Sequence, residues 1–210
     1  MAVKISTGDP GDHHFLDPNL IKDRVQSVNG TIVESNTDYG GRRISTAMHK
    51  QVAIDHGFAA IAPADILDEE GSMSLPFANG KNITEDYVGS HFANYDSYLV
   101  LSHFKGHGMG GFGGALKNIS IDIASSEGKR WIHSGGERMT DPPWPTRDQD
   151  ALLEAMAEAS GAVMNSLGEN IVYINVMNHL SMDCDCVSNP ATPELDDFGI
   201  LSSLISGCAG

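Results

Sequence analysis

Short apolar runs alternate with longer amphipathic stretches along this chain, and that alternation predicts its elements. AVKIST at 2–7 has the period of two expected of a strand. Asp17-Pro18 reads as a helix cap followed by proline in the first turn, opening a helix that runs through Leu20, Ile21 and Val25 to about Val28. Asn29-Gly30 ends it, and TIVES at 31–35 is a second strand. A helix near 44–56 is closed by Gly57, and FAAIA at 58–62 is expected to be a third strand. In 63–95, SMSLPF and KNITEDYV flank Ala78-Asn79-Gly80, and the Asn-Gly pair signals an antiparallel hairpin. SYLVLS at 97–102 has a continuous apolar centre and IVYINVMN at 171–178 is mostly apolar, as strands buried in a parallel sheet are. The clearest helix is 148–167, with Asp148 as its cap and apolar spacing at Leu152, Leu153, Met156, Val163, Met164 and Leu167. Between them, Pro142, Pro143 and Pro145 make a stiff linker.

Strand, helix, strand, helix, strand is the rhythm of an α/β fold. The expected architecture is a single domain over 1–210, with a mainly parallel sheet, crossover helices and a small antiparallel excursion. In such sheets ligands sit beyond the carboxyl ends of the strands. The loops at 8–17, 36–43, 103–114 and 178–198 are therefore where chemistry is expected.

Composition narrows the choice of ligand. The chain carries 13 Lys+Arg against 28 Asp+Glu, a net charge of −15, which disfavours nucleic acid and anionic membranes as partners. No Lys or Arg follows Arg147. No apolar run reaches membrane-spanning length and the first residues lack a secretory pattern. Cys184, Cys186 and Cys208 are odd in number, which suits reduced thiols better than a disulfide framework. A cytoplasmic setting is expected.

Three constellations could carry chemistry. His103 and His107 are separated by three residues, the spacing of metal-binding histidines on a helix, but Gly106 and Gly108 argue for a loop. The stretch Gly108-Met109-Gly110-Gly111-Phe112-Gly113 formally matches a dinucleotide fingerprint, yet lies too far from its strand and lacks the acid that should follow. What survives is a set of backbone amides at Gly108, Gly110, Gly111, Gly113 and Gly114, with Lys117 and Asn118, able to hold an anion. A glycine turn packed on the sheet is the plainer alternative. In the second constellation, Asp183-Cys184-Asp185-Cys186, the thiols are too close in sequence for an unstrained disulfide. With an imidazole such as the nearby His179 they would suit a transition metal, zinc, iron or nickel. Third, Arg42 and Arg43 follow a glycine pair at a strand end and could grip a carboxylate or phosphate. His13 and His14, beside Asp9 and Asp12, are as well explained by solvent exposure.

These loops resemble a known family. VLSHFKGHGMGGFGGALKNISI, with ESNTDYGGRR upstream and DCDCVSNPATPELDDFGIL downstream, is similar to the domain of unknown function numbered 362, over nearly the whole chain. That family is sometimes attached to iron–sulfur proteins, so the resemblance implies a ferredoxin-like protein as a candidate partner. Many members carry a Cys-x-x-Cys-x-x-Cys insert after the Gly-Lys near 128–129. EGKRWIHSGGERMTDPPWP has no cysteine, so a four-iron cluster of that kind is not expected. Members also extend further at both ends, which implies a truncated chain. Its apolar tail, 198–206, would then self-associate, and a homo-oligomer is expected. A fainter similarity is to the N-terminal domain of nickel-dependent lactate racemase, where a histidine precedes a Gly-Gly segment and a lysine follows. The spacing does not match residue for residue. It implies His103, His107 and Lys117 as groups acting on a metal-bound substrate. The leading expectation is a metal- or redox-linked protein with a small anionic ligand. The alternatives are an accessory module for a separate iron–sulfur protein, and racemase-like proton transfer.

Overall fold

The computed structural model describes residues 1–140, 148–184 and 199–203. In chain order the strands are β1 (Ala2–Lys4), β2 (Thr31–Glu34), β3 (Ala64–Ile66), β4 (Ser72–Pro76), β5 (Glu85–Gly89), β6 (Tyr98–His103), β7 (Lys105–His107), β8 (Gly111–Gly113), β9 (Ile171–Met177) and β10 (Gly199–Ser203). The α-helices are α1 (Pro18–Ser27), α2 (Thr46–Asp55), α3 (Ala115–Ser120), α4 (Ser126–His133) and α5 (Gln149–Leu167). Six strands form one sheet in the order β10-β9-β6-β1-β2-β3. All its neighbours pair in parallel except β10, which runs antiparallel to β9. β4 and β5 form a separate antiparallel hairpin, the excursion expected from the sequence.

Alternation along the central strands divides the core between two faces. Val3 and Ile5 of the β1 segment, Ile32 of β2 and Leu99 and Leu101 of β6 pack toward Ile21 and Val25 of α1, Ala53 of α2 and Phe58. Ala2, Val33, Tyr98 and Val100 pack on the opposite face, with Ile119, Val163 and the β4–β5 hairpin. Burying both faces explains why β6 is buried along its whole length. The caps follow the sequence too. Asp17 Oδ1 accepts from the Asn19 amide at 2.8 Å, Pro18 sits in the first turn, and Asp148 accepts from Asp150 at 2.9 Å.

One expectation needs correcting, and two features were not read from the sequence. FAAIA is not a strand: Phe58–Ala60 is a 3-10 turn, and the strand falls at Ala64–Ile66. Gly57 adopts φ +85°, reversing the chain so that fully buried Phe58 plugs the α1 side of the core. An apolar run this short is compatible with either form, and here packing chose. The glycine cluster opens no long helix. It forms the β7–β8 hairpin, turning through Gly111 at φ +73°, before the short helix α3. Helix α4, with Ser125 as its cap, had no counterpart in the sequence reading. The proline segment 141–147, Cys186, Cys208 and most of the apolar tail lie outside the described residues. No helix among the described residues is long and apolar enough to cross a membrane.

Candidate functional site

Strands β2 and β3 lie on one side of β1, and β6 and β9 on the other, so the loops leaving β1 and β6 diverge. A cleft opens at this switch point, beyond the carboxyl ends of the parallel strands. It has two lobes. The smaller, of about 60 Å³, is bordered by Ser6 and Gly8 after β1, Ser102 and His103 at the end of β6, and Gly113, Gly114 and Asn118. The larger, of about 210 Å³, is bordered by Thr37, His107, Met109, Ile121, Lys129 and His133. Tyr39, Arg43, Lys117, Asp122 and Cys184 line both lobes and mark their junction.

Beneath the cleft lies a buried polar network. Glu34, at the end of β2, accepts from Arg43 Nη1 at 2.7 Å, Thr7 Oγ1 at 2.6 Å and the Thr7 amide at 3.1 Å. His49 Nε2 is 3.0 Å away. Burial pushes the Glu34 carboxyl up, but Arg43 and His49 override it and hold it well below the usual carboxylate range. Arg43 is further tied to Asp9 at 2.8 Å and to the Tyr39 hydroxyl at 2.9 Å. Its guanidinium borders the cleft as part of the wall, with each nitrogen engaged. Lys4 is wholly buried on the α3 side of β1, donating to Asn118 Oδ1 at 2.8 Å and Ile5 O at 3.0 Å. Burial lowers its ammonium to about 8, with Asp122 and Glu34 recovering part of the loss.

At the junction, Lys117 and Asp122 face the cavity as opposite charges. Among the described residues neither side chain makes a hydrogen bond or ion pair. Burial would raise the Asp122 carboxyl, but Lys117 and Lys4 hold it below its ordinary value, so it stays ionised. Lys129 donates to Ala124 O at 2.5 Å, and burial lowers its ammonium.

The two sequence-predicted histidines border different lobes. His107 Nδ1 accepts from the amides of Met109 and Gly110 at 3.2 and 2.9 Å. That leaves Nδ1 unprotonated and assigns the ring proton to Nε2. His103 Nε2 lies 2.6 Å from Asn178 O, and a carbonyl only accepts, so Nε2 carries the proton there. His133, which the sequence reading missed, joins His107 in the larger lobe. Burial lowers its imidazole to about 4, and its Nδ1 donates to Lys129 O at 2.6 Å. It is a neutral ring at neutral pH.

The remaining candidates are scattered. Arg42 is exposed and pairs with Asp55 at 3.2 Å, away from both lobes. Asn118 reaches the smaller lobe, but its side chain bridges Lys4, Leu101 O and Ser102 Oγ. Gly113 and Gly114 line the cleft, whereas Gly108 and Gly110 form the hairpin turn and Gly111 opens β8. The Ala115 amide at the start of α3 is taken by Asn175 Oδ1 at 2.9 Å, so it is committed to structure. The amides of His13 and His14 bond to Asp12, and those rings border neither lobe.

Transition metals need a convergent donor set. Among the described residues no group of three or more His, Cys, Asp or Glu is gathered for one. His107 offers a protonated nitrogen to the cleft, and binding a metal there would break its two amide hydrogen bonds. The described donors therefore do not fit a resident metal, and no step is derived through one.

Lys4, Glu34, Asp122 and His133 escaped the sequence reading because each is ordinary in its local context. Lys4 had one signal: it sits inside the first strand, and the first strand of an open α/β sheet commonly lies at its centre.

No curated protein sequence matches the chain. Among solved structures it is similar to the lactate racemase apoprotein from Thermoanaerobacterium thermosaccharolyticum, with a TM-score of 0.52 and 14% identity. The likeness covers 83% of this chain and 41% of that one, and shows a shared α/β fold. The family model described as Domain of unknown function (DUF362) matches residues 1–204, and the His-Phe-Lys-Gly-His run, glycine hairpin and Arg43 loop that border the cleft all fall within it. The chain thus belongs to the DUF362 family.

Proposed function

We propose that this chain binds a small organic anion in the switch-point cleft and performs acid–base chemistry on it, in a cytoplasmic setting. One observation carries the reading: Lys117 and Asp122 stand as opposite charges at the junction of the two lobes, neither side chain in a hydrogen bond or ion pair among the described residues. Both are half-buried, so water screens them less than it screens surface groups. Lys117 supplies the counter-charge for the anion. Asp122, held ionised, accepts a proton or hydrogen bond, and His107 Nε2–H, in the larger lobe, donates one. The lactate racemase likeness supports inversion at the carbon beside a carboxylate as the overall reaction, and the charged pair supports acid–base chemistry as the way to it.

The test combines binding with exchange. Calorimetry with lactate, pyruvate, phosphate and sulfate should show binding of at least one anion, weakened about tenfold or more by Lys117→Met. NMR in deuterium oxide should then show exchange at the carbon next to the carboxylate, suppressed by Asp122→Asn. Binding without exchange would favour an accessory role. No binding to any anion would refute the reading.

A second reading has its own observation. Cys184 lines both lobes, and Cys186 follows it outside the described residues. A metal held by these thiols together with a substrate would make the chain metal-linked, the other expectation from the sequence. Elemental analysis of protein purified without oxygen, before and after Cys184→Ser, checks it. Metal that is absent from the wild type, or unchanged by the substitution, removes this reading.

A further inference from the structure

The two lobes differ in size and chemistry, and that difference describes a ligand. The smaller, about 60 Å³, is walled by Ser6, Ser102 and the Gly113–Gly114 backbone. A water needs roughly 10–15 Å³ of such volume, so this lobe has room for about a carboxylate and its nearest carbon. The larger, about 210 Å³, exceeds the roughly 150 Å³ cavity that accommodates benzene. Met109 and Ile121 give it an apolar wall, the ring of His133 is kept neutral by burial, and the charged side chains beside them are paired within the protein: Asp38 with Arg130, Glu34 with Arg43, and Lys129 on Ala124 O. Lys117 and Asp122 stand between the two.

From this arrangement we infer that the ligand is an amphipathic 2-substituted carboxylic acid: a carboxylate on Lys117, a hydroxyl or ammonium on the neighbouring carbon facing Asp122, and a tail about the size of a phenyl ring in the larger lobe. The inference rests on the proposed anion site and names its substrate class. The donor on the second carbon follows from Asp122. An ionised carboxylate only accepts hydrogen bonds, so it would repel a bare acid and needs a donor in front of it. The tail follows from the apolar wall, because a three-carbon acid would leave the larger lobe to water.

Calorimetry on the full chain with four probes tests each part. Phenyllactate or phenylalanine should bind at least about tenfold more tightly than lactate, because the ring buries apolar surface. Which of the two is tighter distinguishes hydroxyl from ammonium. 3-Phenylpropanoate, lacking the donor, should bind about tenfold more weakly than the better of them, since Asp122 is left unpaired. Met109→Trp should fill the larger lobe and collapse the ratio between the aromatic acid and lactate. Met109→Ala, the milder change at a half-buried loop position, should keep the ratio above about fivefold. Equal binding of lactate and the aromatic acids overturns the inference while leaving the anion site standing. Equal binding of 3-phenylpropanoate overturns the donor assignment. If none of the four binds, the anion site and the inference fall together.

Discussion

Lys4 Nζ donates to Asn118 Oδ1 at 2.8 Å across 114 positions of sequence, joining the central strand to the helix that carries Lys117. An amine on an inward face of a buried strand is costly unless it is bonded. Asn118 meets that need and spends its own amide on Leu101 O and Ser102 Oγ of β6. One asparagine thus holds α3, β1 and β6 in register beneath the cleft.

Removing half of this bond should cost more than removing both halves. Asn118→Ala strands a buried ammonium and is expected to destabilise the fold by about 1–3 kcal/mol. Lys4→Met combined with Asn118→Leu replaces the pair with apolar groups and is expected to recover most of that loss. Urea denaturation of both single variants and the double variant measures the coupling. Additive losses would show that the bond does not tie the two elements together.

Asp86 gives a pH dependence. It is fully buried on β5, opposite Leu75 of β4, and neither oxygen reaches hydrogen-bond geometry with a partner among the described residues. Burial pushes its carboxyl up from 3.8 to about 7, partly offset by the Tyr87 amide and Lys129. The folded state therefore holds this proton more tightly than the unfolded chain does. Its stabilising effect is complete below the unfolded value near 3.8 and lost as pH rises toward 7. Asp86→Asn removes the titration, so its melting temperature should gain on the wild type as pH rises from 4 to 7 and hold that gain above 7. The accumulated difference is about 4 kcal/mol at most. Parallel pH profiles for the two proteins would contradict this.

Gly106 packs closely against the loop that leads to Cys184. Its amide donates to Ser181 O at 2.8 Å, and a Cβ placed there would lie 1.9 Å from the Met182 carbonyl oxygen. Gly106→Ala must therefore push the 181–184 loop off the β7 strand, moving Cys184 away from the cleft. Alkylation of Cys184, followed by mass spectrometry of its peptide, should be several-fold faster in the variant, with the far-ultraviolet circular dichroism unchanged. An unchanged rate would mean that the loop keeps its place without this close approach.

The sequence alone determined the β4–β5 hairpin and the caps at Asp17 and Asp148, because these depend on neighbours in sequence, and its strand–helix rhythm implied a parallel sheet, because each crossover helix returns the chain in the same direction. It also pointed to the strand-end loops, since an α/β rhythm leaves a ligand few other places to sit. It marked His103, His107 and Arg43 in those loops and Lys117 just after one of them, and all four border the cleft. Their roles were decided elsewhere. Arg43 is consumed by Glu34, Asp9 and Tyr39, and the His107 tautomer is set by two amides of its own hairpin. Lys4, Asp122 and His133 gained their place only when distant segments closed over them. Burial and charge pairing are properties of assembled surroundings, so FAAIA became a turn through packing, and an ordinary lysine in the first strand became the support beneath the site.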